Sequence, residues 1–208
     1  TSLSSSLWVT VAASMALYVA LALWTRSIWR LAPLLLPYLC LVAAIATIWA
    51  QVPGKPLPTE TPVTWVEIHI VFAVLTYSLL TIGAVSGVAV MLQEHALKTK
   101  SPTRLTALLP SVVDAERMQV RLLGATEIVL GFGLLTGVAT QFVETGGAMV
   151  INHKTVLSLV AFVVIGILLV AHFRTGIRGR RASRLVLLAY LLLTLGYPGV
   201  KFVTDILL

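Results

Sequence analysis

Residues 68–93 read IHIVFAVLTYSLLTIGAVSGVAVMLQ, and none of them is Asp, Glu, Lys or Arg. A helix of about 20 apolar residues crosses the hydrocarbon core of a bilayer, so this run is long enough to span it. Leu31 to Gly54 is a second run with none of those four residues. Each is about twice the length of a barrel strand and neither alternates with period two. Lipid then leaves only helices, whose backbone groups are paired internally. The composition agrees. Of 208 residues, 58% are hydrophobic and 11% charged, against about 25% charged in soluble domains. The sequence predicts an all-α, polytopic membrane protein forming a single transmembrane domain over residues 1–208.

Outward from that stretch, six apolar segments emerge, at about Leu7–Trp24, Leu31–Ala50, Val66–Leu92, Leu122–Val143, His153–Phe173 and Leu185–Leu207. The first ends in Trp24, Thr25 and Arg26 without a cleavage site and reads as a retained helix. Basic residues concentrate in three connections. Arg26 and Arg30 follow the first segment. Lys98, Lys100, Arg104, Arg117 and Arg121 lie between the third and fourth. Arg174, Arg178, Arg180, Arg181 and Arg184 lie between the fifth and sixth. Only Lys55, Lys154 and Lys201 fall on the other side. The positive-inside rule places the three basic connections in the cytoplasm and both termini on the outer side. Topology thus explains the formal charge of +7, and no nucleic-acid partner is needed. Trp8, Trp24, Trp29, Trp49 and Trp65 suit an interfacial aromatic belt.

Two connections stand apart. Gln51–Pro62, QVPGKPLPTETP, is expected to be an extended outer link. His95–Val120 is expected to be a long polar inner loop, with Asp114-Ala-Glu-Arg117 as a short interfacial helix. The single cysteine, Cys40, excludes an intrachain disulfide, a CxxC redox pair and a CxxCH haem attachment. No phosphate loop, HExxH pair or nucleophile elbow is present. The expectation is a binding or assembly protein and not an enzyme.

Ionisable residues at membrane depth are costly and therefore candidate sites. His69 lies one turn inside the outer end of the third segment, and His153 opens the fifth on the same side. Two neutral imidazoles on an apolar wall suit haem iron, although an interfacial histidine can equally bond water or headgroups. The His69 face continues through Ala73, Thr76, Gly83 and Gly87, small residues that allow close approach. His95 and His172, at the inner ends of the same two segments, form a second conceivable pair and read as interfacial caps. Glu127 is the one acid well inside a segment, and it is expected to pair with an arginine of the inner surface. Glu67 reads as an exposed interface residue. Gly131, Gly133 and Gly137 form a strip expected to pack helices.

Three stretches carry a family resemblance. The first is Trp65-Val-Glu-Ile-His-Ile through Leu92-Gln-Glu-His-Ala-Leu-Lys98. The second is Leu109-Pro-Ser through Glu116-Arg to Gly131-Phe-Gly-Leu-Leu-Thr-Gly137. The third is His153-Lys-Thr-Val-Leu-Ser, Ala171-His-Phe-Arg-Thr-Gly-Ile-Arg-Gly-Arg-Arg181 and Tyr197-Pro-Gly-Val-Lys-Phe202. Together they resemble the cytochrome c assembly protein family, which includes the CcmC, CcsA and HemX-like membrane proteins, and most of all its small HemX-like or YpjD-like branch. The resemblance covers about residues 63–208. It implies a b-type haem held near the outer face, with His69 and His153 as axial ligands and His172 and His95 as secondary candidates. It also implies a bacterial inner membrane, with the outer side periplasmic, and membrane partners from cytochrome c assembly. The family's tryptophan-rich outer segment is missing, because Glu144–Asn152 reads ETGGAMVIN. Direct presentation of haem to an apocytochrome is therefore not expected. Two other classes remain open: a haem-free structural or accessory subunit of a larger respiratory or photosynthetic complex, and a transporter of haem or another small molecule.

Overall fold

The computed structural model describes residues 3–51, 63–145 and 153–196, with the backbone alone at residues 3, 26, 51, 63, 64, 143–145, 153 and 154. These residues are helical throughout, joined by short turns. Helix α1 spans Leu3–Trp24, and a 3-10 turn at Arg26–Leu31 leads to α2, Ala32–Ile48. A second 3-10 turn occupies Trp49–Gln51. Helix α3 spans Val63–Thr99, α4 is the short Arg104–Leu108, and α5 spans Val112–Thr145. Helices α6, His153–Thr175, and α7, Gly179–Thr194, complete the order. Among the described residues, five stretches are long and apolar enough to cross a membrane: Ser4–Trp24, Ser27–Ile48, Trp65–Thr99, Val112–Phe142 and Thr155–Thr175. Helix α7 is described over 16 residues. The remainder of the expected sixth segment, the proline-rich link and the Glu144–Asn152 connection lie mostly outside the described residues.

One expectation is corrected. The inner connection His95–Val120 is not a loop. Helix α3 continues to Thr99, and α5 begins at Val112. Asp114-Ala-Glu-Arg117 is the first part of α5 and not a separate helix. The reason is local. Hydropathy reports where lipid ends, whereas Leu97, Gln93, Glu94, Ala96 and Lys98 are strong helix formers wherever they sit. Helix α3 has 37 residues and reaches about 55 Å, well beyond a hydrocarbon core of about 30 Å. It stops at Lys100, which has a positive φ of 52°, with Ser101 N–H bonded back to the Ala96 carbonyl at 3.2 Å. The tight turn that follows is capped by Thr103. Its hydroxyl accepts from Thr106 N–H at 3.2 Å, and its own N–H donates to the Thr106 hydroxyl at 2.9 Å. Gln93 Nε2 ties α4 to α3 by donating to the Thr106 carbonyl at 2.8 Å and the Pro110 carbonyl at 3.0 Å. Arg30 donates to the carbonyls of Leu108 and Ala107. Ser111 caps α5 at Asp114 N–H, 3.2 Å.

The antiparallel pair α3–α5 is the spine of the bundle. Its register is set by Phe72 against Gly133, Leu122 against Gly83, and Gln119 against Gly87. Small residues on α3 bring the two backbones close. Helix α7 runs along α3 with Ser183 against Gly87, and α6 packs on α5 and α7. Helices α3 and α6 therefore stand diagonally across the bundle. Helix α1 joins α3 through Ser14 and Ser78, 3.3 Å between hydroxyls, and α2 leans on α1. Two apolar cores result. Tyr18, Leu31, Leu35, Ile82, Val90 and Leu122 belong to one, and Leu80, Leu123, Ile165 and Val186 to the other. The outward residues, such as Leu23, Trp24, Leu135, Phe142 and Phe173, are large and apolar. Such a surface is the lipid contact of a membrane bundle.

Helix α2 reaches α7 through hydroxyls. Thr194 Oγ1 donates to the Tyr190 carbonyl at 2.8 Å, so it accepts from the Tyr77 hydroxyl at 3.1 Å. Tyr77 in turn accepts from Tyr190 at 3.1 Å, and Tyr190 from Tyr38. The direction of the chain follows, because each hydroxyl has one proton to give. Tyr190→Phe removes the middle link and leaves the Tyr38 proton without its acceptor. It is expected to cost about 1 kcal/mol, typical of interhelical hydrogen bonds in membranes. Thermal unfolding in detergent against Tyr38→Phe checks this. The double variant should cost little more than Tyr190→Phe alone.

Candidate functional site

The His69 side chain leaves α3 toward α5, where Gly131, Gly133 and Gly137 expose the backbone. Its Nδ1 lies 3.0 Å from the Gly133 carbonyl oxygen and 3.3 Å from Thr136 Oγ1. Thr136 Oγ1 itself donates to the same carbonyl at 3.0 Å. A carbonyl can only accept, so Nδ1 carries the proton and donates it. In the neutral ring the lone pair is therefore on Nε2. This is the arrangement by which proteins orient a metal-binding imidazole, with one nitrogen anchored to backbone and the other free. Among the described residues, Nε2 has no hydrogen-bond partner.

Gly137 permits the placement. A Cβ added there would lie 3.0 Å from His69 Cε1 and 3.4 Å from Nδ1, tighter than ordinary van der Waals contact. The ring thus rests on bare α5 backbone. One turn inward, Phe72 and Phe132 stack with centroids 5.8 Å apart and planes at 22°. The glycine strip expected to pack helices does so in three different ways. Gly131 receives Phe162 of α6, Gly133 receives Phe72, and Gly137 receives His69.

His153 is the first residue of α6, and its side chain lies outside the described atoms. Register nevertheless places its backbone. Phe162 is level with Gly131, and Gly166 with Glu127. Counting back along antiparallel α6 puts His153 near the level of Thr140, about one turn (~5 Å) beyond the His69 ring. Both histidines thus belong to the same end of the bundle, on diagonal helices.

The inner histidines are not brought together as a pair. His95 is exposed on α3. His172 donates from Nδ1 to the Ile177 carbonyl at 2.9 Å and closes the turn after α6, so the expected capping role fits it. No group of three or more His, Cys, Asp or Glu among the described residues can hold a metal ion. Two surface cavities lie away from these histidines. One of about 320 Å³ is lined by Gln93, Leu97 and Pro102, and one of about 290 Å³ by Val9, Ala13 and Val74.

The expected pairing of Glu127 with an arginine is overturned. Its Oε1 lies against Gly166, where a Cβ would come within 2.9 Å. Its Oε2 is buried and has no hydrogen-bond partner among the described residues. Arg121, six positions earlier, is about 9 Å away along the axis and points to another side of α5. The arginine that does pair is Arg180, whose Nε is 3.8 Å from Glu94 Oε2, with Lys98 Nζ at 4.0 Å from the same oxygen.

That acid belongs to a lock the sequence reading missed. Gly179 opens α7 with φ +64°, and its N–H donates to Glu116 Oε1 at 2.6 Å. A Cβ at Gly179 would overlap the Glu94 carboxylate. Two carboxylates thus face the positive N-terminus of α7. Glu94, Glu116 and the Gly176–Arg181 turn come from the three stretches that carry the resemblance. Their meeting point holds α3, α5 and α7 in register. The tyrosine chain was missed as well. Its hydroxyls come from three helices and leave no local spacing to detect.

The family model described as Cytochrome C assembly protein matches residues 2–208. The chain is 58% identical over 208 residues to an "uncharacterized 28.8 kDa protein in nifR3-like 5′ region" of Azospirillum brasilense, covering 100% of this chain and 77% of that protein. It is 25% identical over 179 residues to the inner membrane protein YpjD of Escherichia coli K12, covering 86% of this chain and 66% of YpjD. No solved structure matches significantly.

Proposed function

Because the chain belongs to the cytochrome c assembly protein family, we propose that it holds a b-type haem near the outer face of the bacterial inner membrane. There it would serve cytochrome c biogenesis or haem homeostasis. The observation that carries this reading is the His69 imidazole, anchored through Nδ1 to α5 backbone, with Nε2 unpartnered among the described residues. A pre-oriented imidazole nitrogen beside bare glycine backbone and apolar rings is a donor that fits haem iron. His69 and His153 would hold it, one from each of two helices across the bundle core. Bound haem would supply a redox-active iron and the cargo itself. The chain's own part is to bind, orient and shield it, without bond-making chemistry. The basic end, where Arg30, Lys98, Arg117 and Arg180 lie, faces the cytoplasm in this reading.

The test is the spectrum of protein purified from haem-replete cells. The expected result is a Soret band and a reduced-state α band of a bis-histidine haem. Folded protein without haem would overturn the reading. A second reading is a haem-free accessory subunit of a membrane complex. It is favoured by the close packing of the glycine strip, where Gly131, Gly133 and Gly137 receive Phe162, Phe72 and His69, and stoichiometric copurification with a complex, without a haem of its own, would support it.

A further inference from the structure

Glu127 is a half-buried acid at membrane depth for which the haem reading has no use. It sits on α5 inside the span Val112–Phe142. Its carboxyl is wedged into the seam with α6, with Oε1 against the Gly166 backbone and Oε2 sealed and unbonded among the described residues. The elements around it offer no cation. Helix α6 has no ionisable residue from Thr155 to Ala171. Between His69 and Glu94, α3 offers only Tyr77, and between Leu185 and Thr194, α7 offers only Tyr190. Both phenols are committed to the chain from Tyr38 to Thr194. On α5 itself the nearest charged residue is Arg121, on another face. An ionised carboxylate without a counter-charge is very costly in a low-dielectric interior, where a group neutralises instead. Intramembrane acids therefore mark proton or ion paths. The glycine opposite leaves room for the carboxyl and nothing larger, so the ligand that fits is the smallest one.

We propose that Glu127 is a proton-binding site in the α5–α6 seam, its carboxylate taking up one proton to become a neutral carboxylic acid at membrane depth. The site stands independently of haem. The test is the infrared difference spectrum of the full chain in lipid nanodiscs at neutral pH, wild type minus Glu127→Gln. Gln is a neutral isostere of the protonated acid and should leave the helices in place. The expected difference is a carboxylic-acid C=O band that shifts in D2O and is lost completely in Glu127→Gln. A difference showing only carboxylate stretches would overturn the proposal. Should Glu127→Gln fail to fold, labelling of the wild-type protein with a lipophilic carbodiimide decides the matter. The reagent adds whole to a protonated carboxyl, and mass mapping should place the adduct on Glu127. An unlabelled Glu127 would overturn the proposal equally.

Discussion

His69→Ala is expected to remove the bis-histidine haem spectrum while leaving the helical circular dichroism of the protein intact. The imidazole lies at the outer end of α3 and is only half-buried, so its loss opens little of either apolar core. Its Nε2, by contrast, is the one nitrogen that the Nδ1 anchor leaves for iron. Loss of the ligand should lower haem retention by more than the 10–100-fold typical of losing a supporting partner. Gly137→Ala tests the same geometry without touching the donor. A methyl group 3.0 Å from Cε1 must push the ring off α5 and break the Gly133 contact. The expected loss of haem affinity is about 10–100-fold, with a shifted rather than absent Soret band. Unchanged spectra in both variants would place any bound haem elsewhere.

Gly179→Ala is expected to be the most destabilising single-methyl change in the bundle. A non-glycine residue at φ +64° costs about 1–2 kcal/mol from backbone sterics alone. The added Cβ would also collide with the Glu94 carboxylate, displacing it from Arg180 and Lys98 and disturbing the Glu116 bond at the start of α7. The sum is expected to reach about 3 kcal/mol. Gly176→Ala is the control. Its φ of +67° is similar, but a Cβ there meets nothing within 4 Å, so only the same backbone cost of about 1–2 kcal/mol applies. Reversible unfolding in mixed micelles, comparing the two variants, separates strain from collision. Equal losses would show that the carboxylate lock contributes nothing.

Helices and their burial in lipid were legible because hydropathy is a local quantity. A run such as Ile68–Gln93 has one cheap conformation in hydrocarbon, whatever its neighbours do. The concentration of charge in three connections was legible for the same reason. The ends of α3 and α5 were not, because Lys98 and Glu116 look like loop residues on a hydropathy plot and like helix formers to the backbone. His69 stood out as an imidazole on an apolar run. Its proton, however, could be assigned only once the Gly133 carbonyl was seen 3.0 Å from Nδ1.

The sequence alone therefore determined the solvent, the helical class, the family and the residues eligible for chemistry. Tertiary structure decided which of them meet. It set Glu94 on the α7 N-terminus and placed Glu127 against Gly166, with no ion-pair partner among the described residues. It also joined Tyr38, Tyr77 and Tyr190 into one chain of hydroxyls. The physical reason is range. Partition into lipid depends on a residue and its neighbours along the chain, whereas a hydrogen bond or an ion pair depends on a few ångströms between helices far apart in sequence. Only the packed register of α3, α5, α6 and α7 supplies those distances.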